Sequence, residues 1–278
     1  MNNKYIGTSG FSYKGWQKTA IPSKKTFYKD KCNIQEYATH FNMVELNTTF
    51  YKQPSVATVK KWREQVPETF RYLVKVNKYL THSKKLIDWE SLFPDFYLTM
   101  SHLEDKLLGF VIQLPPSFQN TDKNRERILK VAKWSKKNYS TEDFYVEFRH
   151  SSWFCKETFT LLRGFWNVVI VHSSFFDFDV LSLWNSVGDN KPDKTMFRLH
   201  GTWKSQVYCG DYSDEQLVFI ASCLDHGGIV AFNNTDSLQG QLQTPFVGGR
   251  GPTLFSYAGD TVLPSAVNDA KRLQILCK

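Results

Sequence analysis

The sequence predicts an α/β protein, a TIM-like (β/α)8 barrel, and three observations carry that reading. Eight short runs rich in β-branched and aromatic residues recur along the chain. Longer polar or amphipathic stretches separate them, and no repeat of fixed period or low-complexity tract breaks the alternation. Strands that alternate with helices pair in parallel through crossovers, and eight such units in about 250 residues match a barrel of this kind.

The strands, in order, are residues 4–8, 43–47, 71–77, 109–114, 144–149, 167–173, 196–200 and 228–233. Gly, Pro, Ser and Asn punctuate their ends. Among the connections, residues 55–65 open on a Ser cap and repeat apolar residues at helical spacing. Residues 124–137 place Ile128, Val131, Ala132 and Trp134 near one helical face. Residues 213–224 begin S-D-E-Q, in which Ser213 and Gln216 form a capping box. The last helix, 265–276, gathers Val267, Ala270, Leu273 and Leu276. The weakest connection is 174–194, apolar only at 180–184. A doubly wound open sheet is the alternative, but it advertises a Gly-rich phosphate loop after its first strand, and GTSGFSYKG is not that fingerprint. No Pro/Gly/Ser-rich linker divides the chain, so residues 1–278 are expected to form one domain.

Composition narrows the class. With 41% hydrophobic residues, including 22 Phe, 13 Tyr and 8 Trp, the 278-residue chain has ample apolar surface to offset ordering entropy, which excludes intrinsic disorder. Mean hydropathy is −0.41, and no run approaches the roughly 20 apolar residues that cross a bilayer, so no membrane association is expected. The opening MNNKYIGTSG has no apolar h-region and reads as the first strand. Five cysteines, at 32, 155, 209, 223 and 277, form an odd set without a C-x-x-C pair, which points to a reducing, cytoplasmic setting. The formal net charge is +8, from 35 Lys+Arg against 27 Asp+Glu. Lysine pairs at 24–25, 60–61, 84–85 and 136–137 are scattered, which suits a solvated surface as well as an affinity for phosphate or nucleic acid.

Parity sorts the strand side chains, because successive residues point to opposite faces. Glu45 and Asn47 share a face opposite Val44 and Leu46, Lys75 and Asn77 share another, and Gln113 opposes Ile112 and Leu114. Glu147 and Arg149 oppose Phe144, Val146 and Phe148, and Arg198 and His200 oppose Phe197 and Leu199. The apolar rows belong against the helices, so the polar rows face the barrel axis near its C-terminal end. Buried charge there must be paired or reached by solvent and ligand. The row is therefore either a candidate site or an internal salt-bridge layer that closes the barrel.

Lys75, Arg149 and Arg198 outnumber Glu45 and Glu147, and His150 and His200 are able to add charge, so the row suits an anionic ligand, a phosphate or carboxylate. The two glutamates supply the acid–base pair of the expected reaction, with His200 as a third catalytic residue. Glu45, His82, Glu147, His150, His172, Asp177 and His200 at or past strand ends also offer ligand types for zinc or manganese, so a divalent metal is possible although no H-x-H or H-x-x-x-H pair occurs. Ser9 and Ser12 lack nucleophile-elbow spacing, and Cys155 reads as packing. Phe11, Tyr13, Trp16, Phe50, Tyr51 and Trp153 in post-strand loops form an expected stacking rim.

Eight segments in order resemble the YecE-like family, also called domain of unknown function seventy-two. They are GTSGFSYKGW (7–16), YATHFNMVELNTTFY (37–51), FRYLVKVNKYLTH (70–82), LGFVIQLPPSF (108–118), VEFRHSSW (146–153), FRLHG (197–201), YCGDYSDEQL (208–217) and FNN (232–234). The resemblance implies a TIM-like barrel and no established activity. Its signature positions correspond to Glu45, Asn47, Lys75, His82, Gln113, Glu147, Arg149, His150, Arg198, His200, Asn233 and Asn234. The chain departs from the family pattern after Asn234, where F-N-N-D becomes FNNTD, with Asp236 displaced by one and a long insertion at 237–263. That loop follows the eighth strand and reads as a lid over the barrel mouth or as a surface elaboration.

The first functional expectation is a hydrolase of phosphate-containing substrates, a nucleic acid or nucleotide, with Glu45, Glu147 and His200 catalytic. Asn47, Lys75, His82, Gln113, Arg149, His150, Trp153, Arg198, Asn233 and Asn234 are its expected substrate-binding residues. The alternatives are a sugar-phosphate isomerase or epimerase, with one glutamate as base and Lys75 or His200 polarising a carbonyl, and a non-catalytic nucleic-acid-binding module.

Overall fold

The computed structural model describes residues 3–13, 16–17, 27–172, 187–188, 191–202, 208–224, 227–233 and 265–278. Its strands are β1 (Lys4–Ser9), β2 (Met43–Leu46), β3 (Arg71–Lys75), β4 (Leu107–Gln113), β5 (Phe144–Glu147), β6 (Asn167–Val168), β7 (Ile170–His172), β8 (Met196–Leu199) and β9 (Gly228–Phe232). All pairs are parallel, in the order β6-β5-β4-β3-β2-β1-β9-β8-β7.

The two ends of that order, β6 and β7, are pieces of one extended stretch divided at Val169. β6 pairs with β5 and β7 with β8, while the Val169 N–H donates to Val146 O at 2.9 Å. The sheet's two edges thus meet in a single passage of chain, and the sheet curls into a barrel. The expected sixth strand is this divided one. Barrel strands are staggered, and here the first half of the strand reaches one neighbour and the second half the other.

Local sequence explains the helices that frame the mouth. The helices are α1 (Ile34–Ala38), α2 (Thr48–Tyr51), α3 (Val56–Glu64), α4 (Trp89–Met100), α5 (Asp122–Asn138), α6 (Lys156–Leu162), α7 (Asp214–Cys223) and α8 (Ser265–Leu276). Ser55 caps α3 through Oγ, which accepts from Thr58 N at 3.2 Å. α5 begins two residues before its expected start because Thr121 caps it, accepting from Asn124 N. The expected capping box of α7 is present, with Gln216 N to Ser213 Oγ at 3.2 Å and Ser213 N to Gln216 Oε1 at 2.9 Å. α4 is not among the helices named from the sequence, and Pro94 lies inside it. Burial of Trp89, Phe93 and Phe96 outweighs that local cost, and Trp89 stacks on Phe93 at 4.6 Å. The 237–263 insertion, Asn234, Asp236, Asp177 and nearly all of the 174–194 link lie outside the described residues.

Two apolar groups separate by parity. Val44, Leu46, Val74, Ile112, Val146, Phe148, Phe197 and Leu199 belong to the large core between strands and helices. Met43, Leu73, Val111, Tyr145, Val169, Val171, Met196, Ile229 and Ala231 form a second cluster, which fills the axis. The second cluster occupies the N-terminal part of the barrel and leaves the C-terminal end of the axis to the polar row. Gly7, on β1, lets that strand approach β2. A Cβ there would lie 2.1 Å from Met43 O and 2.8 Å from Met43 Sδ. Gly7→Ala is therefore expected to destabilise the barrel by about 1–3 kcal/mol, read as a lower urea midpoint; an unchanged midpoint would show that β1 is free to shift.

Candidate active site at the barrel mouth

Arg198 crosses the axis from β8 and joins β2 to β5. Its Nε donates to Glu45 Oε2 at 2.8 Å and its Nη2 to Glu45 Oε1 at 2.6 Å, a bidentate pair. Nη1 pairs with Glu147 Oε2 and donates to Gln113 Oε1 at 3.2 Å, and Nη2 also donates to Ser9 Oγ at 3.3 Å. A guanidinium has five N–H donors, and these contacts employ all five. Ser9 Oγ in turn donates to Glu45 Oε1 and accepts from Asn47 Nδ2, each at 2.8 Å. Glu45, Glu147, Arg198 and His200 have no exposure.

Arg149 extends this frame toward solvent. Its Nε pairs with Glu147 Oε1, and its Nη2 lies 3.4 Å from Gln113 Oε1 and 3.1 Å from His200 Nε2. Two arginines thus flank Glu147. Burial alone would raise the carboxyl's pKa, but Arg149 and Arg198 hold it well below the ordinary carboxylate range. His200 is driven the other way, to about 3, first by burial and then by Arg149. It is a neutral imidazole at pH 7. Its Nδ1 faces the Asn233 amide at 2.9 Å and its Nε2 lies 3.6 Å from Glu147 Oε1. The tautomer with the proton on Nδ1 lets Nε2 accept from Arg149, with the Asn233 amide turned to present its oxygen.

Lys75 stands apart from this network. It retains only 9% exposure, and its Nζ has no hydrogen bond or ion pair to a described residue. The ammonium lies 4.3 Å from the Phe50 ring centroid. Burial, then the Arg198 charge, lowers its pKa to about 7. His82 meets the same Phe50 ring edge-on at 5.0 Å, from a single π turn (Tyr79–Ser83) beyond β3. Burial and then Lys75 lower the His82 pKa to about 4, and its Nδ1 faces Thr81 Oγ1 at 3.0 Å.

The expected residues therefore divide by position. Glu45, Asn47, Gln113, Glu147, Arg149, Arg198, His200 and Asn233 form one contiguous network, with Lys75 and His82 beside it on Phe50. Arg198 was expected to bind substrate, but its burial and five occupied donors make it the keystone of the frame. Trp153 belongs to the outer core: it is 1% exposed, stacks on Phe148 at 4.3 Å and donates from Nε1 to Phe118 O at 2.7 Å. An indole at a strand-to-helix corner buries a large area once its N–H finds a carbonyl, which is why the stacking rim loses it. Trp16 is likewise buried, at 1% exposure, whereas Tyr51 is exposed. His150 caps a short turn, its Nδ1 accepting from Ser152 N at 3.2 Å. Sequence reasoning passed over Ser9 as a network member, although its parity with Gly7 and its register opposite Glu45 place it there.

Among the described residues, no three His, Cys, Asp or Glu side chains come together as a metal-holding group. No helix among them is long and apolar enough to cross a membrane. None of the five cysteines forms a disulfide.

Comparison with known proteins gives the chain its family. The UPF0759 protein YecE of Escherichia coli (strain K12) is 32% identical over 164 residues, 58% of this chain and 54% of that protein, so the match spans about half of that relative's length. The UPF0759 protein YunF of Bacillus subtilis (strain 168) is 26% identical over 238 residues, 77% of this chain and 80% of that protein. Among solved structures, a DUF72 family protein from Enterococcus faecalis V583 superposes with a TM-score of 0.67 at 19% identity, covering 98% of this chain and 94% of that one. Another from Thermotoga maritima MSB8 gives 0.63 at 22% identity, covering 99% and 100%. These two likenesses concern the fold. The model of the family described as protein of unknown function DUF72 matches residues 5–243, and this chain belongs to that family.

Proposed function

We propose that the protein is an enzyme acting on a small phosphate-containing molecule, held with its anionic group in the barrel mouth. The observation that carries this reading is the charge left over once the buried frame is balanced. Glu45 and Glu147 are matched by Arg198 and Arg149, while Lys75 adds a cation with no carboxylate among the described residues bound to it. An anion entering there would meet a net positive, poorly hydrated wall, where electrostatic attraction exceeds its value in water.

The reaction type follows from which groups have a proton to exchange. Phosphodiester hydrolysis, the first expectation, asks one glutamate to activate water. Both are fully buried, and Glu147 is stabilised as an anion between two arginines. Proton transfer at a carbon beside a carbonyl, as in a sugar-phosphate isomerase or epimerase, is better supported. Lys75, poised near neutrality, is the base or electrophile, and neutral His200 lies in the adjoining network. Glu45, Glu147 and Arg198 then act by fixing the geometry and field of the mouth.

A panel of sugar phosphates, nucleotides and a labelled oligonucleotide tests the reading, with Lys75→Met assayed beside the wild type. The expected result is turnover of a sugar phosphate, reduced at least about a hundredfold in the variant, with its thermal midpoint kept within a few degrees. Full turnover in Lys75→Met would contradict it. Cleavage of the oligonucleotide, lost on addition of salt, would restore the hydrolytic reading.

A further inference from the structure

Lys75 has a combination of properties that anion binding alone does not require. A surface lysine would attract phosphate equally well, yet this one is more than nine-tenths buried and rests on an aromatic face. No hydrogen bond or ion pair joins Nζ to a described residue, so once the proton leaves no donor among them engages its lone pair. Among the described residues, the charged and titratable groups that act on it are Arg198 on β8, Glu45 on β2, Glu147 on β5, Arg149 just after β5 and His82 after β3. The cations among them and the desolvation together favour the neutral amine.

We propose that Lys75 is a covalent catalyst that forms an imine with a phosphate-bearing aldehyde or ketone. The inference rests on the anion-binding reading and names the substrate class for it. Nζ adds its lone pair to the carbonyl carbon, forming a C–N bond as the C=O π pair moves to oxygen. That oxygen takes up two protons in turn and leaves as water, the C–O bond breaking as the nitrogen lone pair closes the C=N bond. Both amine hydrogens end in the water, and no oxidant or reductant is consumed. His82 packs on the same Phe50 ring, and once protonated the imine keeps a positive charge for the phosphate. The resulting imine, once protonated, withdraws electrons from the neighbouring carbon and eases removal of its proton.

Reductive trapping tests this directly. Wild-type protein at pH 7 is incubated with glyceraldehyde 3-phosphate and sodium cyanoborohydride, and the adduct is located by peptide mass mapping. About half of an amine of pKa 7 is neutral at that pH, against roughly 1 in 3,000 for an ordinary lysine. One adduct per chain is expected, on Lys75, at least about tenfold above any other lysine, and absent from folded Lys75→Arg. Labelling of Lys75 no faster than the exposed lysines overturns the proposal. Two further arms separate it from the reading beneath it. If glyceraldehyde labels Lys75 as fast as its phosphate ester and inorganic phosphate does not protect, the covalent role stands and phosphate recognition fails. If inorganic phosphate binds but Lys75 takes no label, phosphate recognition stands and the covalent role fails.

Discussion

Replacing Arg198 with Met is expected to lower the stability of the protein by about 3–5 kcal/mol, the cost of leaving buried carboxylates without their partner. Glu45 loses both bonds of its bidentate pair, Glu147 loses one of its two arginines, and Ser9 and Gln113 each lose a donor. With that guanidinium gone, two acidic side chains with no exposure remain in one polar layer. The thermal midpoint should fall by roughly 10 °C for a chain of this size. Adding Glu45→Gln to Arg198→Met should recover part of the loss, because the neutral amide is cheaper to bury than an unpaired carboxylate. A single variant that unfolds within about 1 kcal/mol of the wild type would show that the frame is not what holds the mouth together.

Acidification is the second large effect, and its sign follows from His200. The folded protein holds this imidazole at a pKa of about 3, whereas the unfolded chain protonates it near the ordinary 6.5. Between those values the unfolded state binds more protons, so stability falls as pH drops through 6.5 toward 3. The fully developed loss is on the order of 3–5 kcal/mol from this one group. His82, lowered to about 4, adds a smaller loss of the same sign over a narrower window. Glu147, held well below the carboxylate range, contributes stability that is present above its unfolded value and disappears as pH falls further. Lys75 works at the other end of the scale: its folded value of about 7 lies below its ordinary 10.5, so its burial costs least once pH rises through that interval. Thermal melts between about pH 7.5 and pH 5 should therefore show a falling midpoint, and His200→Asn should flatten the slope. A wild-type midpoint constant over that range would contradict a buried, neutral His200.

The sequence carried much of this architecture because a barrel strand writes its two faces in alternating residues. Val44 and Leu46 against Glu45, or Phe197 and Leu199 against Arg198, left little choice of which row met the helices. The division of the sixth strand at Val169 had no such signal, since residues 167–172 are continuously apolar or extended and their split reflects only which neighbour each half reaches. α4, not named from the sequence, contains Pro94, a local breaker overridden by aromatic burial. At the site, parity identified the charged residues but not their partners. Whether Arg198 served a ligand or two glutamates depended on cross-axis distances, which one-dimensional spacing does not contain. For the same reason, Trp153 and His150 could be placed after a strand but not assigned to the core or a turn cap. The opposite outcome held for Lys75, which looked like one cation among three and differs from the others in having no acid bound to it among the described residues.

The central claim is that a balanced, buried ionic frame leaves Lys75, among the described residues, as the cation at the mouth for an anion. Calorimetric titration with sulfate tests it most directly, because the charge of sulfate is constant across the interval in which Lys75 titrates. The account predicts a single site in the wild type, tighter at about pH 6 than at about pH 8, and at least about tenfold weaker in Lys75→Met. Sulfate binding of equal strength in both proteins and at both pH values, or no binding by the wild type, would contradict it.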